Sequence, residues 1–228
     1  MTEEAQILRE LREFTVTADI ARDRTTYWVR PAGSADPVVS MHKDYPFHVA
    51  VRPYYVRPVA APEELLGYVK LGKAWDAQQV EIGAVGDMRK PFRMDRGPIV
   101  QHGLGTLTPE RQGAARQAVH RVARFVDRLN FSAPGTEDID AMIAARVSCA
   151  GPASAGFELT RPAGVTARYE VTVHDPRVSR LLILAYLDCF NAAATDVRQA
   201  GVLLTTNPFD NALEHRRMKV ERKQRDGL

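Results

Sequence analysis

DPRVSRLLILAYLDCFNAAA, running from Asp175 to Ala194, is the stretch on which the fold turns. Asp175-Pro176 reads as a helix start, because proline's fixed φ and missing N–H suit a first helical turn. From Leu181 to Ala194 only Tyr186, Asp188 and Asn191 carry a polar group. A helix that is apolar on nearly all sides must be surrounded, since a helix lying on a surface keeps one polar face. At about 1.5 Å per residue this stretch is about 20 Å long. That is too short for a bilayer and matches the interior of a small protein. The expected fold is therefore α+β: a closed or nearly closed antiparallel β-barrel around a buried apolar C-terminal helix.

The residues before it supply the sheet. From Phe14 to about Ile99 short alternating or β-branched runs are bounded by Pro, Gly or Asp, the pattern of successive strands and turns. The expected strands are Phe14 to Ala18, Thr25 to Arg30, Val38 to His42, Phe47 to Tyr55, Gly67 to Leu71, Gln79 to Ala84 and Pro98 to His102. Gly156 to Thr160 and Ala167 to Val173 read as a hairpin around Arg161-Pro-Ala-Gly164. Residues 3 to 13 read as a short charged helix with Ile7, Leu8 and Leu11 on one side.

Thr108 to Asn130 departs from the strand pattern. Thr108, Pro109 and Glu110 look like an N-cap, a first helical residue and a first-turn acid. Ala115, Ala118, Val119, Val122, Phe125, Val126 and Leu129 then recur at helical spacing. This predicts an additional amphipathic Arg-rich helix, inserted at 108–130 into a single barrel domain spanning 1–206. Residues 207–228 form a basic C-terminal helix or tail containing Arg216, Arg217, Lys219, Arg222, Lys223 and Arg225.

Composition excludes more than it assigns. The 31 basic and 28 acidic side chains leave a formal charge of +3, too small to point to nucleic acid or membrane by itself. Cys149 and Cys189 stand in unrelated contexts without a CxxC, so neither a zinc site nor a disulfide framework is indicated. The N-terminal Met-Thr-Glu-Glu-Ala lacks the basic-then-apolar pattern of a signal peptide, and no apolar run reaches membrane-spanning length. The expectation is a cytoplasmic protein, with peripheral membrane contact as its route to lipid.

The segment ARYEVTVHDPRVSRLLILAYLD, Ala167 to Asp188, resembles the last strand and central helix of the tubby-like superfamily, which includes phospholipid scramblases and LURP-one-related proteins. FRMDRGPIVQHGLGTL, Phe92 to Leu107, and GFELTRPAG, Gly156 to Gly164, are similar to its strand, Asp-x-Gly turn, strand units. The resemblance is concentrated in residues 92–107 and 156–194. It implies a twelve-stranded barrel threaded by the helix from Pro176 onward, in a class of proteins linked to membrane lipids or protein partners. The Arg-rich helix departs from that pattern, and no ligand motif of the family matches residue by residue.

Candidate functional residues follow from charge. On the expected helix Arg116, His120, Arg124 and Arg128 recur every four residues with Arg121 beside them, and like charges at that spacing repel. An anionic phospholipid surface, a phosphate-bearing ligand or an acidic protein would relieve the repulsion. The bland alternative is a solvated face neutralised by Asp127, Glu110 and other acids. Asp188 and Asn191 should be hydrogen-bonded inside the fold, with one of the many arginines as a candidate partner, because an unpaired buried polar group costs about 1–3 kcal/mol. The acidic run Glu137-Asp-Ile-Asp140 reads as a helix N-terminus or, less simply, an oxygen-ligand cation site.

His42, Asp44, His48 and His102, with Tyr54, are the residues from which a dispersed enzyme site would be drawn. No HExxH, phosphate loop, GxGxxG or GxSxG accompanies them. The leading expectation is a non-enzymatic tubby-like or scramblase-like binding protein that uses the Arg-rich helix, without metal or cofactor. A small-molecule enzyme stands second. A nucleic-acid-associated protein using the basic tail stands last, because no aromatic-interleaved basic sheet is visible in the sequence.

Overall fold

A computed structural model describes residues 3–21, 23–45, 49, 51–86, 97–112, 145–162, 168–193, 213–214, 216–218 and 220–221. After the helix α1 (Glu3–Glu10) come β1 (Glu13–Ile20), β2 (Thr25–Pro31), β3 (Val39–Lys43) and β4 (Tyr54–Pro58). β5 (Gly67–Lys70), β6 (Lys73–Asp76), β7 (Glu81–Val85) and β8 (Ile99–Gln101) follow. β9 (Gly105–Gln112), β10 (Ala145–Gly151), β11 (Ser154–Arg161) and β12 (Arg168–Val173) complete the sheet, and α2 (Arg180–Ala193) follows it.

Each strand pairs antiparallel with the next, and β1 closes the ring against β12, Phe14 opposite Val171 and Val16 opposite Tyr169. The result is a closed twelve-stranded antiparallel barrel. Closure removes the unpaired strand edges that make open sheets prone to aggregate. The period-two alternation does the sorting, because successive side chains point to opposite faces. Val39, Met41 and Lys43 of β3 and Tyr54, Val56 and Pro58 of β4 are buried, while the residues between them face outward.

Leu181 to Leu187 of α2 are all buried and belong to one apolar cluster with Val16, Tyr27, Val29, Val56, Val69, Leu159 and Tyr169 of the strands. Tyr186 meets Phe157 of β11 edge to face, with centroids 5.9 Å apart. Gly67 of β5 sits so close to α2 that an added Cβ would run into the Trp75 carbonyl and lie 2.6 Å from Leu181 Cδ1.

The helix begins later than Asp175-Pro176 predicts. Residues 175–178 form a turn closed by Val178 N–H on the Asp175 carbonyl, and helical hydrogen bonding starts at Ser179, whose carbonyl accepts from Leu182 and Ile183. Gly156, at φ +65°, sets that turn: its carbonyl accepts from both His174 and Asp175, and a Cβ there would collide with Cys149.

The strand at 108–112 overturns the expected helix start. Thr108, Pro109, Glu110, Arg111 and Gln112 lie in β9 opposite Ala150, Cys149, Ser148, Val147 and Arg146 of β10. Pairing with a distant strand outweighs a local capping pattern. The rest of the expected helix, from 113 to 130, lies outside the described residues. The expected strand Phe47 to Tyr55 is also corrected, since Val51 and Arg52 lie in a turn and the strand starts at Tyr54, after Pro53. The expected hairpin is present, with β11 and β12 pairing Phe157 with Val173 and Thr160 with Glu170.

Gly67→Ala is expected to lower stability by about 1–3 kcal/mol through overpacking. Leu184→Ala should cost about 2–5 kcal/mol by leaving a cavity. Urea unfolding measures both, and a change below about 0.5 kcal/mol in each would contradict the packing described.

Candidate functional site

Two polar constellations are built into α2. The first surrounds its start. Asp175 Oδ1 accepts from the backbone and Nε of Arg177, and its Oδ2 accepts from Arg177 Nη2 at 2.7 Å and Ser154 Oγ at 2.7 Å. The Arg177 guanidinium, then the Ser154 hydroxyl, hold the Asp175 carboxyl well below the usual range. Gln101 of β8 bridges the next residues, donating to the Arg177 carbonyl at 2.8 Å and accepting from Ser179 N–H at 2.8 Å. Arg180 is buried and donates to four carbonyls, those of Leu11, Pro176, Val178 and Arg9. It joins the last turn of α1, where carbonyls lack helical partners, to the first turn of α2. Burial, with Arg12 nearby, lowers its pKa to about 10. No carboxylate forms an ion pair with it among the described residues.

A cleft of about 580 Å³ opens beside this latch. Leu8, Leu66, Ile82, Val178 and Leu181 supply its apolar wall, and Arg9, Arg177 and Arg180 supply its positive rim. Asp76 is the one acid among its lining residues, and that carboxylate accepts from the backbone N–H groups of Gln78 and Val80, while Asp175 pairs with Arg177 behind the rim. Arg177 in the turn before α2 and Arg180 in its first turn put positive charge where the helix dipole favours anions. That misplacement is the sequence signal that could have found the cleft.

The second constellation lies two turns further along α2. Tyr27 Oη donates to Asp188 Oδ1 at 3.0 Å, and Tyr27 and Tyr54 meet edge to face at 5.7 Å. Lys43 is buried, lies 4.3 Å from the Tyr54 ring centroid and donates to the Val49 carbonyl at 3.1 Å. Burial lowers its pKa to about 8, while the Asp188 charge opposes that shift. Burial and then Asp188 push the Tyr54 phenol upward. Tyr27, Tyr54 and Lys43 are thus among the groups that meet Asp188. The side chain of Asn191 lies outside the described residues.

Arg116, His120, Arg121, Arg124 and Arg128 all lie outside the described residues, as do His48 and the Glu137-Asp-Ile-Asp140 run. Of the remaining enzyme candidates, His42 and Asp44 are brought together and His102 stands apart from them. His42 is on β3 and His102 follows β8, five strands further round the ring. His42 contacts Thr26 Oγ1 at 2.7 Å and Asp44 Oδ1 at 2.9 Å, while His102 faces Glu81 at 3.9 Å. In a hydrolytic triad the acid is buried and the hydroxyl is accessible. Here the Asp44 side chain is 90% exposed and Thr26 only 5%.

The tail is held by its acids. Glu214 is buried and accepts from Arg52 Nε at 2.6 Å, while Glu221 lies 3.2 Å from Arg52 Nη2. Cys149 and Cys189 are buried and unbridged, and burial pushes the Cys149 thiol up to about 12. Among the described residues no cluster of His, Cys, Asp and Glu could hold a metal, and no helix is long and apolar enough to cross a membrane.

No known family model, curated protein or solved structure matches the chain.

Lys43 yields a signed pH dependence. Its folded pKa of about 8 lies below the model-peptide 10.5, so between those values the unfolded chain holds more protons. Stability therefore rises with pH across that window. Relative to Lys43→Met, the native protein should gain roughly 2–3 kcal/mol between about pH 8 and pH 10.5. Urea midpoints measured in parallel test this, and parallel pH profiles for the two proteins would contradict a buried Lys43.

Proposed function

We propose that this chain is a non-enzymatic binding protein of the tubby-like and scramblase-like type. In this reading the barrel is wrapped around α2, and its ligand is an anionic amphiphile such as a phospholipid or a fatty acid. The cleft at the start of α2 carries the proposal: an apolar wall beneath the guanidinium groups of Arg9, Arg177 and Arg180. Its volume falls in the range of small-molecule sites, which are mostly apolar with a few fixed polar groups. A carboxylate or phosphate on the rim would answer the Arg180 charge, and the tail would cover Leu8, Leu66 and Ile82. Guanidinium suits both headgroups because its planar fork matches their geometry.

Two features support binding over catalysis. The interior is filled by packed side chains of α2 and the strands, which leaves the chemistry-bearing groups of Tyr27, Lys43, Tyr54 and Asp188 engaged with one another. Among the described residues His42 and His102 lie five strands apart round the ring, and a general base must reach the same reacting centre as its partners.

Isothermal titration with laurate, and with lauryl alcohol as its uncharged counterpart, tests the reading. Laurate should bind at least about tenfold more tightly than the alcohol, which corresponds to about 1.4 kcal/mol. Arg9→Glu and Leu66→Trp should each weaken laurate at unchanged melting temperature. Equal affinity for acid and alcohol, or affinity untouched by both variants, would overturn it. Co-sedimentation with vesicles, with and without phosphatidylglycerol, distinguishes the cleft from the Arg-rich segment. If Arg116→Glu, Arg124→Glu and Arg128→Glu together abolish capture while the cleft variants do not, the contact lies in that segment.

A further inference from the structure

The outer face of the barrel carries a row of rings that the sequence disperses. In register, His42 of β3 stands opposite Tyr55 of β4, Tyr55 opposite Tyr68 of β5, and Tyr68 opposite Trp75 of β6. Strand alternation turns all four outward: Met41 and Lys43, Tyr54 and Val56, Gly67 and Val69, and Ala74 on the same strands are buried. Neighbouring strands are about 4.8 Å apart, so the row spans about 14 Å. Tyr55 and Tyr68 meet at 5.6 Å and 66°, and Tyr55 is 40% exposed.

Cations flank the row. Arg57, two residues beyond Tyr55 on the same face, lies 5.5 Å from the Tyr55 ring centroid. Lys70, two residues beyond Tyr68, lines a shallow cleft of about 390 Å³ with Pro53, Tyr55, Tyr68, Trp75 and Gln79. No carboxylate lines this cleft. Three acids lie near the row: Asp44 is on His42 at 2.9 Å at its far end, Glu81 is with Lys73 at 2.8 Å, and Asp76 is with the backbone of its own turn. Neither Arg57 nor Lys70 forms an ion pair among the described residues.

A row of rings in register, Tyr55 exposed and Tyr68 and Trp75 half-buried, flanked by cations with no ion pair among the described residues, fits a ligand that is planar and anionic together. Sugars stack on such rings too, but their uncharged hydroxyls would leave the charges of Arg57 and Lys70 without a counter-charge. A nucleotide satisfies both demands, with its base on Tyr68 or Trp75 and its phosphate toward Lys70 or Arg57. Stacking on aromatic platforms beside basic groups is how single strands are held without sequence preference. We propose that the outer face of β3–β6 binds nucleotide units, one base in the Tyr55–Tyr68–Trp75 cleft. The site is separate from the cleft at α2, and this inference stands whether or not an amphiphile binds there.

Fluorescence titrations with uridine monophosphate and with a labelled oligothymidylate test it, the first as a free nucleotide and the second as a strand. Quenching of tryptophan emission by either ligand, lost in Trp75→Phe and retained in Trp28→Phe, is expected. Tyr68→Ala and Lys70→Glu should each weaken binding at least about tenfold at unchanged melting temperature. Saturation by the monophosphate alone would identify a free-nucleotide site, and a preference for the oligomer would identify a strand-binding face. Absence of binding by both, or oligomer binding that persists in Tyr68→Ala and Lys70→Glu, would overturn the proposal. So would loss of phosphatidylglycerol-vesicle capture in those variants without any oligomer binding, which would make the face a membrane contact.

Discussion

Seven consecutive buried side chains, Leu181 to Leu187, impose the constraint from which the rest of the structure follows. A helix resting on one neighbour hides only a stripe. Burial in every direction requires neighbours in every direction, and the contacts of α2 come from widely separated strands: Tyr27 of β2, Gly67 of β5 and Phe157 of β11. A sheet that supplies such neighbours without leaving open edges has to close, and it does so at β1 and β12.

The burial of Leu181 to Leu187 leaves two places along α2 where polar groups must be settled. At its start Asp175, Ser154, Gln101 and Arg180 satisfy the turn and tie α1 to α2. Further along, Asp188 is met by Tyr27 and faces Lys43. Both arrangements are costly to build in a low-dielectric interior unless nearly every donor finds an acceptor. Arg180 meets that condition with carbonyls alone; Asp175 offsets its charge from nearby without an ion pair among the described residues, and the guanidinium stays beside an apolar cleft. This residual charge underlies the proposed preference for anionic amphiphiles.

The greasy helix and the β11–β12 hairpin were legible because each is a local pattern: an unbroken apolar run, and two alternating runs about a Pro-Gly turn. β9 was not, because Thr108-Pro109-Glu110 imitates a helix cap and only pairing with β10, some forty residues away, reveals the strand. β6 was not read either, although β5, of the same length, was. The start of α2 was read four residues early, since Asp175 serves the turn and not the helix itself. Of the candidate sites, the cleft left only the trace of arginines at a helix start. The row His42, Tyr55, Tyr68 and Trp75 left none, because register across strands has no signature within one strand.

Amide hydrogen exchange of Leu181 to Leu187 tests the enclosure most directly. A helix closed in by the barrel exchanges only when the barrel itself opens, so these amides should share the slowest opening free energy with those of Val16, Val29 and Leu159. Exchange of Leu181–Leu187 through a separate, lower-energy opening while those strands stay protected would contradict the account.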